Sequence, residues 1–301
     1  GEQRRKEAGN VFGEGSRSSV AITILVKDGS TNHEIFYHDI GDYLGKEQKL
    51  STITQFKSIK GISWDKIVPN KNHDWLNQRN ESYQSFIPLY SDSNNRIFNE
   101  MMIGVTTSRD YWVYGFSKGK TIKNAERMVE NYNSEIHRLK EVGEPGNIKL
   151  INANGSFVNW SRALKNKFQK SRVISIDRNN VVLSQYRPFC KKWLVYENDI
   201  IEMPGRYHNF NTNPEDFKYI QTVGLGSKKD FSAIIGNYIP NFHLLDTGKV
   251  FVNQISNSGS YNNESEHISE SFGMTREELF YYIYAVLHST QYKEKYKNDL
   301  S

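Results

Sequence analysis

One long amphipathic segment constrains the fold more than any other feature of this sequence. Between Thr121 and Val142, apolar side chains recur at steps of three and four residues, which places them on one face of an α-helix. Gly143 follows directly and is expected to end the helix. The pattern predicts a helix of about six turns that must bury its apolar face against another layer. The apolar positions are Ile122, Ala125, Val129, Tyr132, Ile136 and Leu139.

Short runs rich in β-branched and aromatic residues lie on both sides of this helix and predict strands. The run Val20–Val26 is continuous and apolar, which is typical of a buried strand. The sequence Asp177–Asn180 separates two such runs with residues that tolerate positive φ, so we predict a hairpin there. Pro188 predicts a bend or an edge position. The predicted strands are 20–26, 34–38, 101–105, 111–116, 173–176, 181–184, 193–196, 232–235 and 250–253.

Four further helices complete the predicted secondary structure. Thr275 and Glu278 have the spacing of a capping box, which predicts a helix start at that point. The other helices are predicted at 45–56, 158–169 and 291–300, whereas 57–95 and 253–270 are polar and irregular. Strands and helices in this order predict an α+β fold in which a mixed β-sheet packs against helices.

The composition excludes several classes of protein. Apolar residues make up 37% of the chain and aromatic residues 13%, which is enough to build a core. No apolar run approaches the ~18 residues that span a bilayer, and no signal peptide is recognisable. Cys190 is the only cysteine, which excludes an intramolecular disulfide and a multi-cysteine zinc site. These features suit a cytoplasmic protein.

Positive charge is concentrated in one part of the chain. The whole sequence carries a net charge of +5, yet the segment Trp160–Lys192 contains nine Lys and Arg residues against Asp177 alone, a net charge of +8. Clustered cations attract the phosphate backbone of nucleic acids and release its counterions. The alternative is a solvated helix face together with unrelated loop charges.

No segment supplies a complete catalytic motif. The pairs Gly13-Glu-Gly15 and Gly224-Leu-Gly226 lack the third glycine of a cofactor loop, and the histidines show no metal-binding pairing. No two of the seven prolines are adjacent, so the Pro-Pro turn of DNA amino-methyltransferases is absent. Cys190 is predicted to be a packed thiol. The stretch Gly226–Lys229 remains a candidate phosphate site, with Ser227, Lys228 and Lys229 offering donors.

Several stretches of the chain resemble single-chain Type ISP restriction-modification enzymes and their helicase-fused relatives. Residues 1–27 resemble the late strands of an adenine-specific methyltransferase core. The other stretches keep the order of that family and span most of the chain. They are FYHDIGDYL (36–44), ISWDKIVPNKNHDWLNQR (62–79), TSRDYWVYGFSK (107–118), QYRPFCKKWLVY (185–196), VGLGSKK (223–229) and FYYIYAVLHSTQYKEKY (280–296).

The resemblance implies a part of a larger chain. Residues 1–60 would be the C-terminal part of a methyltransferase domain, 61–95 a connecting segment, 96–270 a target recognition domain and 271–301 a C-terminal helical segment. The nuclease, the ATPase and the sites for AdoMet, ATP and Mg²⁺ lie upstream in such enzymes. No family motif for catalysis or cofactor binding matches a position here, so the resemblance implies no catalytic residue in this chain.

The leading hypothesis is a sequence-recognition module that binds duplex DNA and works with the upstream methyltransferase domain. Arginine is suited to reading guanine edges, and lysine to contacting phosphates. The predicted base readers are Arg172, Arg178 and Arg187. The predicted phosphate contacts are Lys165, Lys167, Lys170, Lys191, Lys192, Lys228 and Lys229.

Alternatives to these assignments remain open. Arg187 beside Pro188 also fits a purely structural hydrogen bond, and Tyr186, Phe189 and Trp193 are predicted to be core residues. At the level of the whole chain, one alternative is a stand-alone metal-dependent nuclease that uses Asp42, Glu47 and Lys49. The other is a protein-docking scaffold.

Overall fold

A computed structural model of the chain describes residues 10–12, 20–29, 31, 33–93, 95–224, 227, 229–254 and 264–300, with the side chains of 264–266 excepted. The chain divides into two compact units. The first comprises Gly1–Ser85, Lys228–Asp230 and Glu294–Ser301, and the second comprises Phe86–Ser227 and Phe231–Lys293. No helix in the described part of the chain is long and apolar enough to cross a membrane.

Among its described residues, the first unit contains a small two-stranded sheet and a regular helix. Strand β1 (Ile35–Tyr37) pairs antiparallel with β2 (Asp65–Ile67), and helix α1 (Lys46–Gln55) lies between them in sequence. Two short 3-10 helices follow α1, at Ile59–Gly61 and Glu81–Ser85. The predicted strand at 34–38 and the predicted helix at 45–56 are therefore confirmed. Strand β2 was missed because three polar-flanked residues show no clear alternation.

The predicted strand Val20–Val26 is wrong. These residues have no regular secondary structure, and the side chains of Ile22, Leu25 and Val26 are 76%, 88% and 80% exposed. A strand needs a hydrogen-bonded neighbour, and in the described part of this unit β1 pairs with β2 instead. High β-propensity without a pairing partner therefore leaves the run extended and solvated.

The second unit is built on two four-stranded sheets. The order of the first sheet is β3-β10-β7-β8, and that of the second is β4-β6-β5-β9. All pairings are antiparallel except β5 with β9, so the second sheet is mixed, as predicted. The strands are β3 Met102–Ile103, β4 Tyr114–Gly115, β5 Val181–Arg187, β6 Cys190–Val195, β7 Tyr219–Thr222, β8 Ala233–Gly236, β9 Ile239–Pro240 and β10 Lys249–Val252.

Among the described residues, six helices lie in this unit or at its border. They are α2 Asp110–Val113, α3 Lys118–Glu141, α4 Arg162–Gln169, α5 Glu264–Ser271, α6 Arg276–His288 and α7 Thr290–Lys295. A 3-10 turn occupies Tyr207–Asn209. Sheets and helices packed in this way confirm the α+β prediction.

Helix α3 provides one wall of the main core, as its apolar stripe predicts. Within this stripe, the side chains of Ala125, Tyr132 and Leu139 are fully buried. Gly143, at φ 77°, follows the last turn and ends the helix. The ring centre of Tyr132 lies 5.6 Å from that of Trp160, in a tilted arrangement, and 5.6 Å from that of Phe168, in an edge-to-face arrangement. Phe168 thereby packs α4 against α3. The core also contains residues from both sheets. The long helix therefore packs against the second sheet and, through Tyr132, against α4.

The first sheet is buried on both faces. Along β10, Val250 and Val252 face the main core, whereas Phe251 faces a second apolar cluster. In this cluster, the ring centre of Phe251 lies 5.3 Å from the ring centre of Phe98. Helix α6 covers this cluster with Leu279, Phe280, Ile283 and Leu287.

Two predicted strands of this unit are wrong. In 111–116, only Tyr114 and Gly115 pair, because Asp110–Val113 forms a helical turn that buries both Trp112 and Val113. In 173–176, the backbone of Ile174 bonds to the side chain of Asn133 on α3, at 2.9 and 3.1 Å, instead of to a strand. The turn Asp177–Asn180 exists, but it does not close a hairpin.

The remaining boundaries differ by identifiable causes. Helix α4 begins at Arg162 instead of 158, because Ser161 caps it by accepting from Leu164 N at 3.4 Å. Helix α5 overlaps the stretch 253–270, which was predicted as loop. Residues 255–263 of that stretch fall outside the described residues. Strands β7 and β9 were missed.

The capping box of α6 is confirmed and gives a stability prediction. Thr275 Oγ1 accepts from Glu278 N at 3.2 Å, and Thr275 N donates to Glu278 Oε2 at 2.7 Å. We expect Thr275→Ala to destabilise the chain by about 1 kcal/mol, because one helix-end amide loses its acceptor. The melting temperature should fall by roughly 2–4 °C. Thr275→Ser keeps the hydroxyl and serves as the control; an equal fall in that variant would contradict the capping role.

Candidate nucleic-acid interface

Part of the basic segment forms the hairpin of β5 and β6. Arg187 pairs with Cys190, so the turn consists only of Pro188 and Phe189. The register shifts between Gln185 and Arg187, which places Tyr186 at a bulge. Gln185 Nε2 donates to the carbonyls of Arg187 at 2.8 Å and of Pro188 at 3.2 Å. The turn is therefore held from inside by a buried side chain.

Phe189 lies at the apex of this hairpin and is 104% exposed. The prediction that it is a core residue is wrong, because a side chain at the tip of a two-residue turn extends beyond both strands and no layer covers it. The same prediction is confirmed for Tyr186 and Trp193, which are half-buried and pack against the main core. Periodicity along the strand did not reveal where the strand would end.

Three cations surround the apex and are held in place by aromatic rings. The Arg187 guanidinium lies 4.1 Å from the ring centre of Tyr186, and Lys192 Nζ lies 3.8 Å from the same ring centre. Lys191 Nζ lies 4.0 Å from the ring centre of Tyr238. Among the described residues, no carboxylate lies within ion-pair distance of any of the three. Rings orient a cation without neutralising it, so the hairpin keeps its positive charge.

Arg187 is anchored along one edge. Its Nη1 donates to the carbonyl of Tyr186 at 2.6 Å and to Asn241 Oδ1 at 2.9 Å. This supports the structural alternative for Arg187, but it uses only one of the three guanidinium nitrogens. Guanidinium carries five N–H donors in a rigid fork. The opposite edge, Nε and Nη2, has no partner within the described residues and remains able to bind an acceptor pair.

The ring that both cations contact is fixed by a half-buried carboxylate. Tyr186 OH donates to Asp110 Oδ2 at 2.9 Å, and Thr107 Oγ1 donates to Asp110 Oδ1. Burial, together with the hydrogen bond to Asp110, raises the pKa of Tyr186 above its ordinary value. The phenol therefore stays protonated and keeps donating at neutral pH, so the ring position is stable.

Other predicted contacts are already paired within the chain. Lys167 Nζ and Arg172 Nη2 both bind Asp199 Oδ1, at 3.2 and 2.8 Å. Arg178 Nε binds Glu126 Oε1 at 2.6 Å. These three cations share two carboxylates from outside the basic segment, which the local sequence does not show. Their proposed DNA contacts stay predictions.

The basic segment therefore does not present all its charge in one place. Lys165 and Lys170 lie on or just after α4, beside the end of β6 that leads to Asp199, whereas Lys191 and Lys192 lie at the hairpin end. The six residues of β6 span about 17–20 Å at ~3.3 Å each, which separates the two groups. In the described part of the chain, neither Lys165 nor Lys170 has a carboxylate partner.

The candidate phosphate site at 226–229 is only partly visible. Ser227 Oγ donates to Asp246 Oδ2 at 2.9 Å, so its hydroxyl is already engaged by an anion. Lys229 is exposed, and Lys228 lies outside the described residues. The role of these residues in binding phosphate stays a prediction.

A buried arginine that the sequence analysis did not identify connects the two loops beside α4. Arg109 is 2% exposed; its guanidinium donates to Ile200 O, to Ser161 Oγ and, at 3.4 Å, to Asn159 O. Glu202 lies 3.8 Å away and also accepts from Ser161. Burial lowers the pKa of Arg109 to about 10, and Glu202 partly offsets this. A charged residue within TSRDYW gave no sign of burial because its partners lie 50 or more positions away.

The described part of the chain has no group of three or more His, Cys, Asp or Glu able to hold a metal ion. Lys49, which the nuclease alternative requires, is buried on α1. Cys190 is a half-buried free thiol at the start of β6. Nothing in these residues favours the nuclease alternative.

The comparisons with known proteins decide the family. The model of the Type ISP C-terminal specificity domain matches residues 96–301, which is more than half of the chain. The chain belongs to this family. The resemblance to Type ISP restriction-modification enzymes is therefore confirmed, and the hairpin, α3 and the Arg109 cluster all lie inside the Type ISP specificity domain. No curated protein sequence gives a significant match.

Three solved structures share the fold of this Type ISP chain. One is a nuclease-deletion mutant of the Type ISP restriction-modification enzyme LlaGI in complex with a DNA substrate mimic: TM-score 0.73, 34% identity, 99% of this chain and 28% of that one. Another is the DrdV–DNA complex, which matches with a TM-score of 0.76 and 25% identity. The match covers 100% of this chain and 31% of the DrdV chain. The third is the ATP-dependent enzyme LlaBIII bound to DNA: TM-score 0.72, 26% identity, 89% and 18% coverage. The chain thus spans less than a third of each relative.

Proposed function

We propose that this chain is the DNA target-recognition part of a Type ISP restriction-modification enzyme. The observation that carries the proposal is the β5–β6 hairpin, whose cations lack acidic partners among the described residues and are held on aromatic rings. Unneutralised charge at a protruding turn suits a polyanion. The family membership and the DNA-bound relatives support the same partner, duplex DNA.

Phosphate contacts and base reading are assigned to different side chains of the hairpin. Lys191 and Lys192 carry compact charges on flexible stems, which suits phosphates of either strand. Arg187 is fixed along one edge by Asn241 and keeps Nε and Nη2 for another pair of acceptors. Guanine O6 and N7 form such a pair in the major groove. We therefore propose Arg187 as a base reader and the two lysines as phosphate contacts.

The activities of the larger enzyme are proposed to lie outside these residues. The relative LlaBIII is ATP-dependent. We propose that a parent of this chain likewise uses ATP, together with Mg²⁺ and AdoMet for cleavage and adenine methylation, in the cytoplasm. The boundaries 1–60, 61–95, 96–270 and 271–301 are proposed as methyltransferase end, connection, target recognition domain and helical end.

Salt dependence tests the DNA-binding proposal. Three to five phosphate contacts predict a slope of about −3 to −5 for the logarithm of affinity against the logarithm of salt concentration. Affinity for a fluorescent duplex should then fall roughly 100-fold or more between 50 and 200 mM salt. Fluorescence anisotropy measures this directly. A slope near zero, or no binding at 50 mM salt, would contradict the proposal.

A further inference from the structure

Phe189 combines complete exposure with an unusual setting. Single exposed apolar side chains are common on protein surfaces and carry no meaning by themselves. Here the ring lies at the apex of a two-residue turn, beside Arg187 and Lys191, and the described residues place no carboxylate against these cations. An apolar tip framed by fixed positive charge matches a polyanion with an apolar interior. Duplex DNA has this chemistry, with stacked bases inside and phosphates outside.

The tip is also preorganised. Pro188 fixes one backbone dihedral, and Gln185 bonds to the carbonyls of Arg187 and Pro188 from below. Arg187 is tied in turn to Asn241 at 2.9 Å. A rigid tip loses little conformational entropy when it inserts into another molecule, so its contacts contribute more to affinity.

We propose that Phe189 is an apolar wedge that enters the duplex between neighbouring base pairs and kinks it. This inference rests on the proposed function and specifies how the hairpin engages its target. Insertion unstacks one base step, and the ring replaces the lost stacking with its own. Lys191 and Lys192 hold the phosphates beside the inserted ring, which offsets the cost of the kink. Pyrimidine–purine steps unstack most readily, so the wedge favours a target with such a step.

The test uses the whole chain and a duplex that the chain itself selects from a pool with a randomised centre. The recovered duplex carries a donor dye at one end and an acceptor dye at the other, so energy transfer reports bending, and anisotropy reports affinity. The unaltered chain should raise energy transfer. Phe189→Ala should bind roughly tenfold or more weakly, because an aromatic–base stack is lost, and should leave the duplex straight.

Two variants sharpen the result. Phe189→Leu keeps an apolar wedge and should retain most of the bend. Phe272→Ala removes another exposed ring, 66% accessible and just after α5, and should change neither affinity nor bend. Both rings are largely exposed, so the unaltered chain and the three variants should have equal melting temperatures.

Each outcome bears on a different claim. If the unaltered chain retains no duplex, the proposed function fails and the wedge with it. If binding is intact and Phe189→Ala bends and binds like the unaltered chain, the wedge alone is overturned. If Phe189→Ala weakens binding but the unaltered chain never bends the duplex, insertion is overturned and the ring is a surface contact only.

Discussion

Reversing the charge of both hairpin lysines, in the variant Lys191→Glu with Lys192→Glu, should weaken duplex binding by one to two orders of magnitude at about 100 mM salt. Both ammonium groups lie on ring faces, and no carboxylate among the described residues pairs with them. Their reversal removes two phosphate contacts and adds two repulsions. The salt slope should fall by about 2, since each contact contributes roughly 0.9.

The loss should be similar for every duplex sequence, because phosphates carry no sequence information. Lys293→Glu with Lys297→Glu provides a control with the same change in net charge near the C-terminus. Anisotropy titrations of both variants against two unrelated duplexes distinguish local contact from overall charge. Equal weakening in the two variants would assign the effect to net charge and remove the hairpin from the interface.

Replacing Arg109 with Met should destabilise the second unit by about 3–5 kcal/mol. The change leaves Glu202, whose side chain is 16% exposed, without its nearby cation, and leaves the carbonyl of Ile200 without its donor. Unpaired buried polar groups cost free energy even when the replacement fills the space. Urea unfolding followed by tryptophan fluorescence measures the loss, and the melting temperature should fall by roughly 10 °C.

Two further variants identify the cause of this loss. Arg109→Lys keeps the charge but lacks the planar fork, so it should be intermediate in stability. Adding Glu202→Gln to Arg109→Met should recover part of the loss, because the abandoned carboxylate is then neutral. A stability of Arg109→Met within 1 kcal/mol of the unaltered chain would show that the buried cluster is not a structural element.

Local patterns predicted those parts of the molecule whose causes lie within a few residues. The 3.6-residue stripe from Ile122 to Leu139 gave α3, and the spacing of Thr275 and Glu278 gave the start of α6. Both features arise from side chains one turn apart. The α+β class, the family resemblance and the basic segment were likewise readable from sequence.

The sequence predicted only part of the candidate interface. Sequence identified Arg187, Lys191 and Lys192 but assigned Phe189 to the core. The hairpin was predicted at Asp177–Asn180, and Pro188 was predicted only as a bend or an edge position. Both sites have turn-forming residues. No hairpin forms at Asp177–Asn180, because the backbone of Ile174, just before it, bonds to the side chain of Asn133 on α3 instead of to a strand.

The sequence by itself determined the positions of α1, α3 and α6, the fold class, the family and the amount of charge in the basic segment. Only the tertiary structure decided which of those charges remain free. Asp199 pairs with Lys167 and Arg172, and Glu126 pairs with Arg178, across 27 or more positions of sequence, whereas the hairpin cations lie on aromatic rings. Helices form through contacts between near neighbours, but ion pairs and strand pairs join distant residues, so their partners are set only when the chain packs.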